Sequence, residues 1–185
     1  MVNRSYLSMK NNAQGRIFEN QILKACAGYD IYNRAFIEKT PENFITTKKK
    51  EAGKFEGRFI KHAQPDFKGT MDGGRAIVFE AKCTRTDKLK FTVLTSAQEE
   101  ALNKHYKLGA ITAICIAIQD EFFFVPYELW MINKSTRAKK HAYFTSEDLK
   151  PYKVKFNGAV NFLDFINGKS VEKRLDLFCK DNTDI

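Results

Sequence analysis

The chain has 185 residues, with 31 Lys and Arg against 22 Asp and Glu (formal net charge +9), and 43% of it is hydrophobic, including 16 Phe. That length and apolar share suit one folded domain with a proper core. The cationic surplus points to a polyanionic partner without separating DNA, RNA and an acidic membrane. No apolar run approaches the roughly 20 residues of a membrane span, and the polar opening MVNRSYLSMK has no signal-peptide core, so the expected setting is the cytosol. Four scattered cysteines and three scattered histidines offer no CxxC pair and no zinc spacing.

In chain order, residues 1–12 read as a polar, flexible arm with Arg4 and Lys10 open to phosphate. Residues 13–27 predict a helix whose buried stripe is Ile17, Phe18, Ile22, Leu23 and Cys26, with Gly28 as its C-cap. Glu19 lies beside that stripe. Arg34-Ala35-Phe36-Ile37-Glu38 predicts a short strand. The next segment, KTPENFITTKKKEAGKFEGRFIK from Lys39 to Lys61, sets Lys48, Lys49, Lys50, Lys54 and Arg58 among Phe55 and Phe59. A loop of that length inside a compact domain is often functional. Its cations suit crowded phosphates, and its rings suit stacking on unpaired bases.

Gln64 to Thr84, QPDFKGTMDGGRAIVFEAKCT, predicts two strands joined at Asp72-Gly73-Gly74, where glycine supplies the positive φ a tight hairpin needs. Asp66 stands on the first strand, and Glu80 and Lys82 share one face of the second because side chains alternate. Thr84–Lys90 reads as a basic loop, with Arg85 and Lys88 facing a DNA backbone. A helix follows to about Leu108, opened by a Ser96/Glu99 capping box and carrying Gln98 in its first turn. Ala110–Ile118 predicts a central strand, Phe122–Val125 the returning one, and Pro126 the first position of a helix over Tyr127–Asn133. Ser135–His141 is a second basic loop, with Arg137, Lys139 and Lys140 suited to phosphate contacts. A helical turn over Thr145–Leu149, an extended piece at Val154–Phe156, a short helix or strand over Phe162–Ile166 and a charged tail (169–185) complete the chain.

Two carboxylates on facing strands repel unless a cation sits between them, and the ion suited to oxygen ligands and phosphate is Mg²⁺. Pro65-Asp66 followed by Glu80-Ala81-Lys82 resembles the PD-(D/E)xK signature of metal-dependent nucleases. Gly15-Arg16-Ile17-Phe18-Glu19, Phe79-Glu80-Ala81-Lys82-Cys83-Thr84 and Val160-Asn161-Phe162-Leu163-Asp164-Phe165-Ile166, in that order, resemble RecU-type Holliday junction resolvases. The similarity spans roughly residues 13 to 166, and Cys83 departs from it where an acidic residue is expected.

The resemblance implies an α/β, restriction-endonuclease-like core: a mixed central β-sheet flanked by helices. A single nuclease domain would span 13–168, with a protruding basic stalk over about 40–62 that enters the junction centre. It also implies one or two Mg²⁺ per site, or Mn²⁺ in its place, held by Asp66, Glu80 and the Ala81 carbonyl. Lys82 would orient or deprotonate water, Glu19 would complete a second metal site or position the water, and Gln98 would lie near the active site. The implied enzyme is a homodimer that nicks opposite strands of four-way junction DNA. The alternatives the sequence leaves open are another PD-(D/E)xK endonuclease acting on duplex DNA, a non-catalytic junction-binding factor, and a basic RNA-binding or structural protein.

Overall fold

A computed structural model of the chain describes residues 4–41, 44–59, 64–137 and 141–165. Helix α1 (Arg4–Ile31) is followed by β1 (Ala35–Lys39), β2 (Phe44–Lys49) and β3 (Phe55–Phe59), then β4 (Phe67–Met71), β5 (Ala76–Thr84) and β6 (Lys88–Lys90). Next come α2 (Ser96–Lys107), β7 (Ile111–Ile118), β8 (Glu121–Pro126), α3 (Tyr127–Thr136), β9 (Tyr143–Thr145), α4 (Ser146–Leu149), β10 (Val154–Phe156) and β11 (Val160–Phe165).

The centre is a five-stranded sheet in the order β1-β4-β5-β7-β8. Its pairs are antiparallel except β5 with β7, which run parallel, and α2 makes the crossover between those two. The expected mixed sheet flanked by helices is therefore present. Every residue of β7 is buried, as a strand covered on both faces requires. One face packs Phe18 and Ile22 of α1 and Phe162 of β11 on Phe67, Phe79 and Phe124, and the Phe67 and Phe79 rings stack 4.9 Å apart. The other face packs Leu102 of α2, Trp130 of α3, Phe91 and Phe144 against Ile114 and Ile116. Each such side chain contributes about 1.5–3 kcal/mol on burial.

Helix α1 begins at Arg4 rather than Ala13 and runs past Gly28. Its end is a Schellman cap: the Arg34 N–H donates to the Tyr29 carbonyl at 2.8 Å and the Asn33 N–H to Asp30 at 2.9 Å, with Asn33 at φ 51°. Asparagine tolerates that left-handed geometry. Ile17, expected in the buried stripe, is 59% exposed, and Tyr29 extends the stripe instead. The turn at Gly73 and Gly74 takes φ of +83° and +84°, as the two glycines predict. Pro126 ends β8 and caps α3 instead of occupying its first turn. The basic loop over Thr84–Lys90 contains β6, which pairs antiparallel with β9. Residues 1–3, the tail 169–185, and Lys139 and Lys140 lie outside the described residues.

The basic segment is a β-hairpin. Strands β2 and β3 form their own two-stranded sheet, from Phe44 opposite Phe59 to Lys49 opposite Phe55, with a register shift between Thr46 and Lys48. All six residues of β2 are exposed. Gly57 permits the strands to close, because a Cβ there would lie 2.2 Å from the Ile45 carbonyl and 2.6 Å from the Phe44 ring.

Candidate active site

The site lies where the sheet forks. Strand β4 pairs with β5 only as far as Phe67 opposite Phe79, whereas β5 continues to Thr84 alongside β7. From Glu80 onward the β4 side of β5 therefore has no strand partner, and its backbone groups need another one. Asp66, one residue ahead of β4, supplies it: Oδ2 accepts the Ala81 N–H at 2.9 Å. The fork thus fixes a carboxylate beside β5.

Glu80 and Lys82 share the face that looks toward α2, as alternation predicts. Glu80 is fully buried; its Oε2 accepts from Lys82 Nζ at 2.6 Å and from Gln98 Nε2 at 2.6 Å. Lys82 Nζ also lies 3.5 Å from Asp66 Oδ2, so one ammonium serves two carboxylates. Glu80 Oε1 is buried without a hydrogen-bond partner. Gln98 reaches the site because it is the third residue of α2. There it joins Thr95 in a capping box, the Thr95 N–H donating to Gln98 Oε1 at 3.1 Å. The predicted Ser96/Glu99 box does not form. Glu99 instead pairs with Lys134 at 2.6 Å.

Burial, then the neighbouring Asp66, push the Glu80 carboxyl up to about 8, against the opposing pull of Lys82. The unfolded group titrates near 4.5, so the folded, metal-free protein holds this proton more tightly. The stability it contributes is complete below the unfolded value and is lost as pH rises through the folded one. In EDTA, wild type is expected to lose on the order of 2–5 kcal/mol relative to Glu80→Gln between pH 4.5 and 8. Thermal melts of the two proteins check this, and parallel pH profiles would contradict it.

Glu19 is placed differently from Glu80. It rides on α1, on the opposite face of the sheet, and its Oε2 accepts from Lys39 Nζ at 2.7 Å. It lies near the half-buried Cys83, whose thiol is pushed up first by burial and then by Glu19. Lys39 carries no signal in the sequence, because nothing in a lysine at a strand end marks it. It stands opposite Phe67, next to Asp66, so the Glu19–Lys39 pair borders the fork from its far face.

The predicted DNA-contacting residues divide. Lys48, Lys49, Lys54, Phe55 and Arg58 are exposed on the hairpin, with Phe55 57% accessible. Lys50, equally exposed, pairs with Glu56 at 3.0 Å. Arg85 donates from Nε to Gln14 Oε1 at 2.7 Å, linking α1 to the loop after β5. Lys88 sits over the Tyr143 ring at 4.8 Å. Arg137, expected at a phosphate, spends its guanidinium on Asn133, the Tyr143 carbonyl and Asp148. That network ties the end of α3 to α4.

Among the described residues no group of three or more His, Cys, Asp and Glu side chains converges to hold a metal. The donors at the fork are two carboxylates and backbone. They fit a hard divalent cation in two respects: Glu80 presents an unpartnered buried oxygen, and two carboxyl groups face one lysine, so a cation that displaces the Glu80 proton meets a net negative charge.

A paired carboxylate and lysine at the fork of a mixed sheet define an α/β protein in which Asp66, Glu80 and Lys82, the residues that resemble the PD-(D/E)xK signature, lie together. The family model for RecU, recombination protein U, matches residues 13–168. The chain belongs to the RecU family, and its members are Holliday junction resolvases. Among solved structures it matches that of Hjc, a Holliday junction resolvase from the archaeal hyperthermophile Archaeoglobus fulgidus. That match has a TM-score of 0.45 and 13% identity, covering 72% of this chain and 89% of that one. None of the curated proteins matches the chain closely enough to count as a relative.

Proposed function

We propose that this chain, a resolvase and thus an endonuclease of the RecU family, nicks four-way DNA junctions by hydrolysis dependent on Mg²⁺ or Mn²⁺. The observation that carries the reading is the convergence of Asp66, Glu80, Lys82 and Gln98 at the point where β4 leaves β5. Asp66 and Glu80 would hold the ion, together with the Ala81 carbonyl. In an extended strand the carbonyl of a residue points to the same side as its N–H, and the Ala81 N–H points at Asp66. A bound ion of this kind supplies charge neutralisation at the phosphate and a more acidic water.

The remaining work falls to side chains. Lys82 Nζ would take or hold a proton at the attacking water, or meet negative charge on the phosphate oxygens. Gln98, anchored in the capping box, fixes the Glu80 carboxylate so that it need not reorganise during the reaction. Glu19 is assigned a positioning role at the far face of the fork, through Lys39. Attack by water forms one P–O bond as the bond to the 3′ oxygen breaks. The products are a 3′-hydroxyl and a 5′-phosphate.

A four-way junction is two-fold symmetric, so a homodimer with two such sites is the matching assembly, acting in the cytoplasm on recombination intermediates. The hairpin, outside the central sheet and rich in exposed cations and rings, would be the element that enters the junction. The test is cleavage of an end-labelled four-way junction beside a linear duplex of the same sequence, in Mg²⁺ and in EDTA. Cutting confined to the junction and lost in EDTA is expected. Cutting of both substrates alike would make the chain a general duplex nuclease. Binding with no cutting in Mg²⁺ or Mn²⁺ would leave the site idle and overturn the hydrolysis reading.

A further inference from the structure

Two residues past Lys82 the chain leaves β5, turns through Arg85, Thr86 and Asp87, and enters β6. This segment folds around an open pocket of about 310 Å³ lined by Thr84, Thr86, Lys88, Lys90 and Thr92 together with three less polar side chains, Leu89 among them. No acidic side chain lines it. The two lysines alternate with buried Leu89 along β6, so both ammonium-bearing chains leave the same side of the strand. Pairing with β9 sets Lys88 opposite Thr145 and Lys90 opposite Tyr143, and the Tyr143 ring lies under the Lys88 ammonium at 4.8 Å.

The loop feeding this strand is braced internally. The Thr86 N–H donates to Thr84 Oγ1 at 3.2 Å, and the two hydroxyl oxygens are 2.9 Å apart. Thr86 Oγ1 donates onward to the Lys88 carbonyl at 2.8 Å. With those hydroxyl protons used internally, the free donors toward a ligand are the two ammonium groups and Thr92. Such a set favours a phosphate over a neutral sugar or base. Thr84 lies two residues along the strand from Lys82, about 6.6 Å, a separation comparable to that between successive phosphates of one strand.

We propose that this groove seats the phosphate next to the scissile one on the cut strand, with Lys88 and Lys90 as the clamp and the Thr84–Thr86 brace fixing their loop. The proposal rests on the hydrolysis reading above and adds to it the path of the substrate strand. Holding the neighbouring phosphate would fix which bond is presented to Asp66 and Glu80, so the groove positions the cut as well as adding affinity.

The test is equilibrium binding of a four-way junction in EDTA by wild type, by Lys88→Gln/Lys90→Gln, and by the remote surface variant Lys104→Gln. Releasing the one clamped phosphate should lower the slope of log affinity against log salt by about 0.9, with Lys104→Gln at the wild-type slope. A single uncharged methylphosphonate is then walked through each strand at the crossover. One position should weaken wild type several-fold and leave the double variant unchanged. An unchanged salt slope, or an equal penalty in both proteins at every position, would overturn the groove. A wild type that binds but never cuts would defeat the hydrolysis reading alone, and the binding data would still decide the groove.

Discussion

Glu80→Gln should abolish cleavage while junction binding stays within a few-fold of wild type. Glu80 is fully buried, and its Oε2 receives both Lys82 and Gln98. The amide keeps the volume and one acceptor, so the α2 contact survives. It removes the charge that burial and Asp66 oppose, which favours folding of the metal-free protein. What is lost is the anionic oxygen directed at the ion. Loss of a preorganised charged group of this kind costs on the order of 10³-fold in rate, or about 4 kcal/mol. Asp66→Asn should behave alike, because an asparagine oxygen can still accept the Ala81 N–H now held at 2.9 Å. Binding draws on phosphate contacts spread over the surface, which neither change touches. Cleavage on a labelled junction and binding by gel shift, run in parallel, check both variants. Cleavage retained, or binding lost by both, would remove the carboxylates from the chemistry.

Replacing residues 44–58 by a short glycine-serine turn should lower the preference for four-way junctions over duplex far more than it lowers duplex affinity. The hairpin has a sheet of its own, so its removal leaves the central ladder intact. Its strands offer Phe44 and Phe55, 46% and 57% exposed, among Lys48, Lys49 and Arg58. Unstacked bases are available at a crossover and scarce in duplex. Aromatic stacking contributes about 1–3 kcal/mol per base, so loss of both rings should reduce the junction-to-duplex ratio by at least roughly tenfold. Competition binding with the two substrates measures that ratio directly. If the ratio is unchanged, the hairpin has no part in recognition. Phe55→Ala alone tests the same point without altering the backbone.

The order of the main elements was legible because its signals are local. The apolar run Ala110–Ile118 reads as a covered strand, and Gly73-Gly74 as a turn. Asp66, Glu80 and Lys82 were legible as a group because strand alternation and a hairpin fix who faces whom. Where sequence patterns competed, packing decided. Thr95/Gln98 and Ser96/Glu99 both satisfy a capping box, and the first forms, with Gln98 also donating to Glu80 and Glu99 taken up by Lys134. Gly28 looked like the end of α1, but Tyr29 is buried in the core and the helix continues until Asn33 can turn it. The hairpin showed no alternation because the lysine run is exposed on both faces and no core imposed a pattern. Arg137 reads as a loop cation in sequence, and only the approach of α3 to α4 supplies its partner Asp148. The Lys39–Glu19 pair depends on an approach between α1 and the end of β1 that sequence spacing does not encode.

The central claim is tested most directly by mapping, to the nucleotide, where all four strands of a synthetic junction are cut by wild type in Mg²⁺. The account predicts paired nicks at symmetry-related positions on two opposing strands, with 5′-phosphate and 3′-hydroxyl ends that DNA ligase reseals. Cuts scattered along the arms, or confined to one strand, would contradict it.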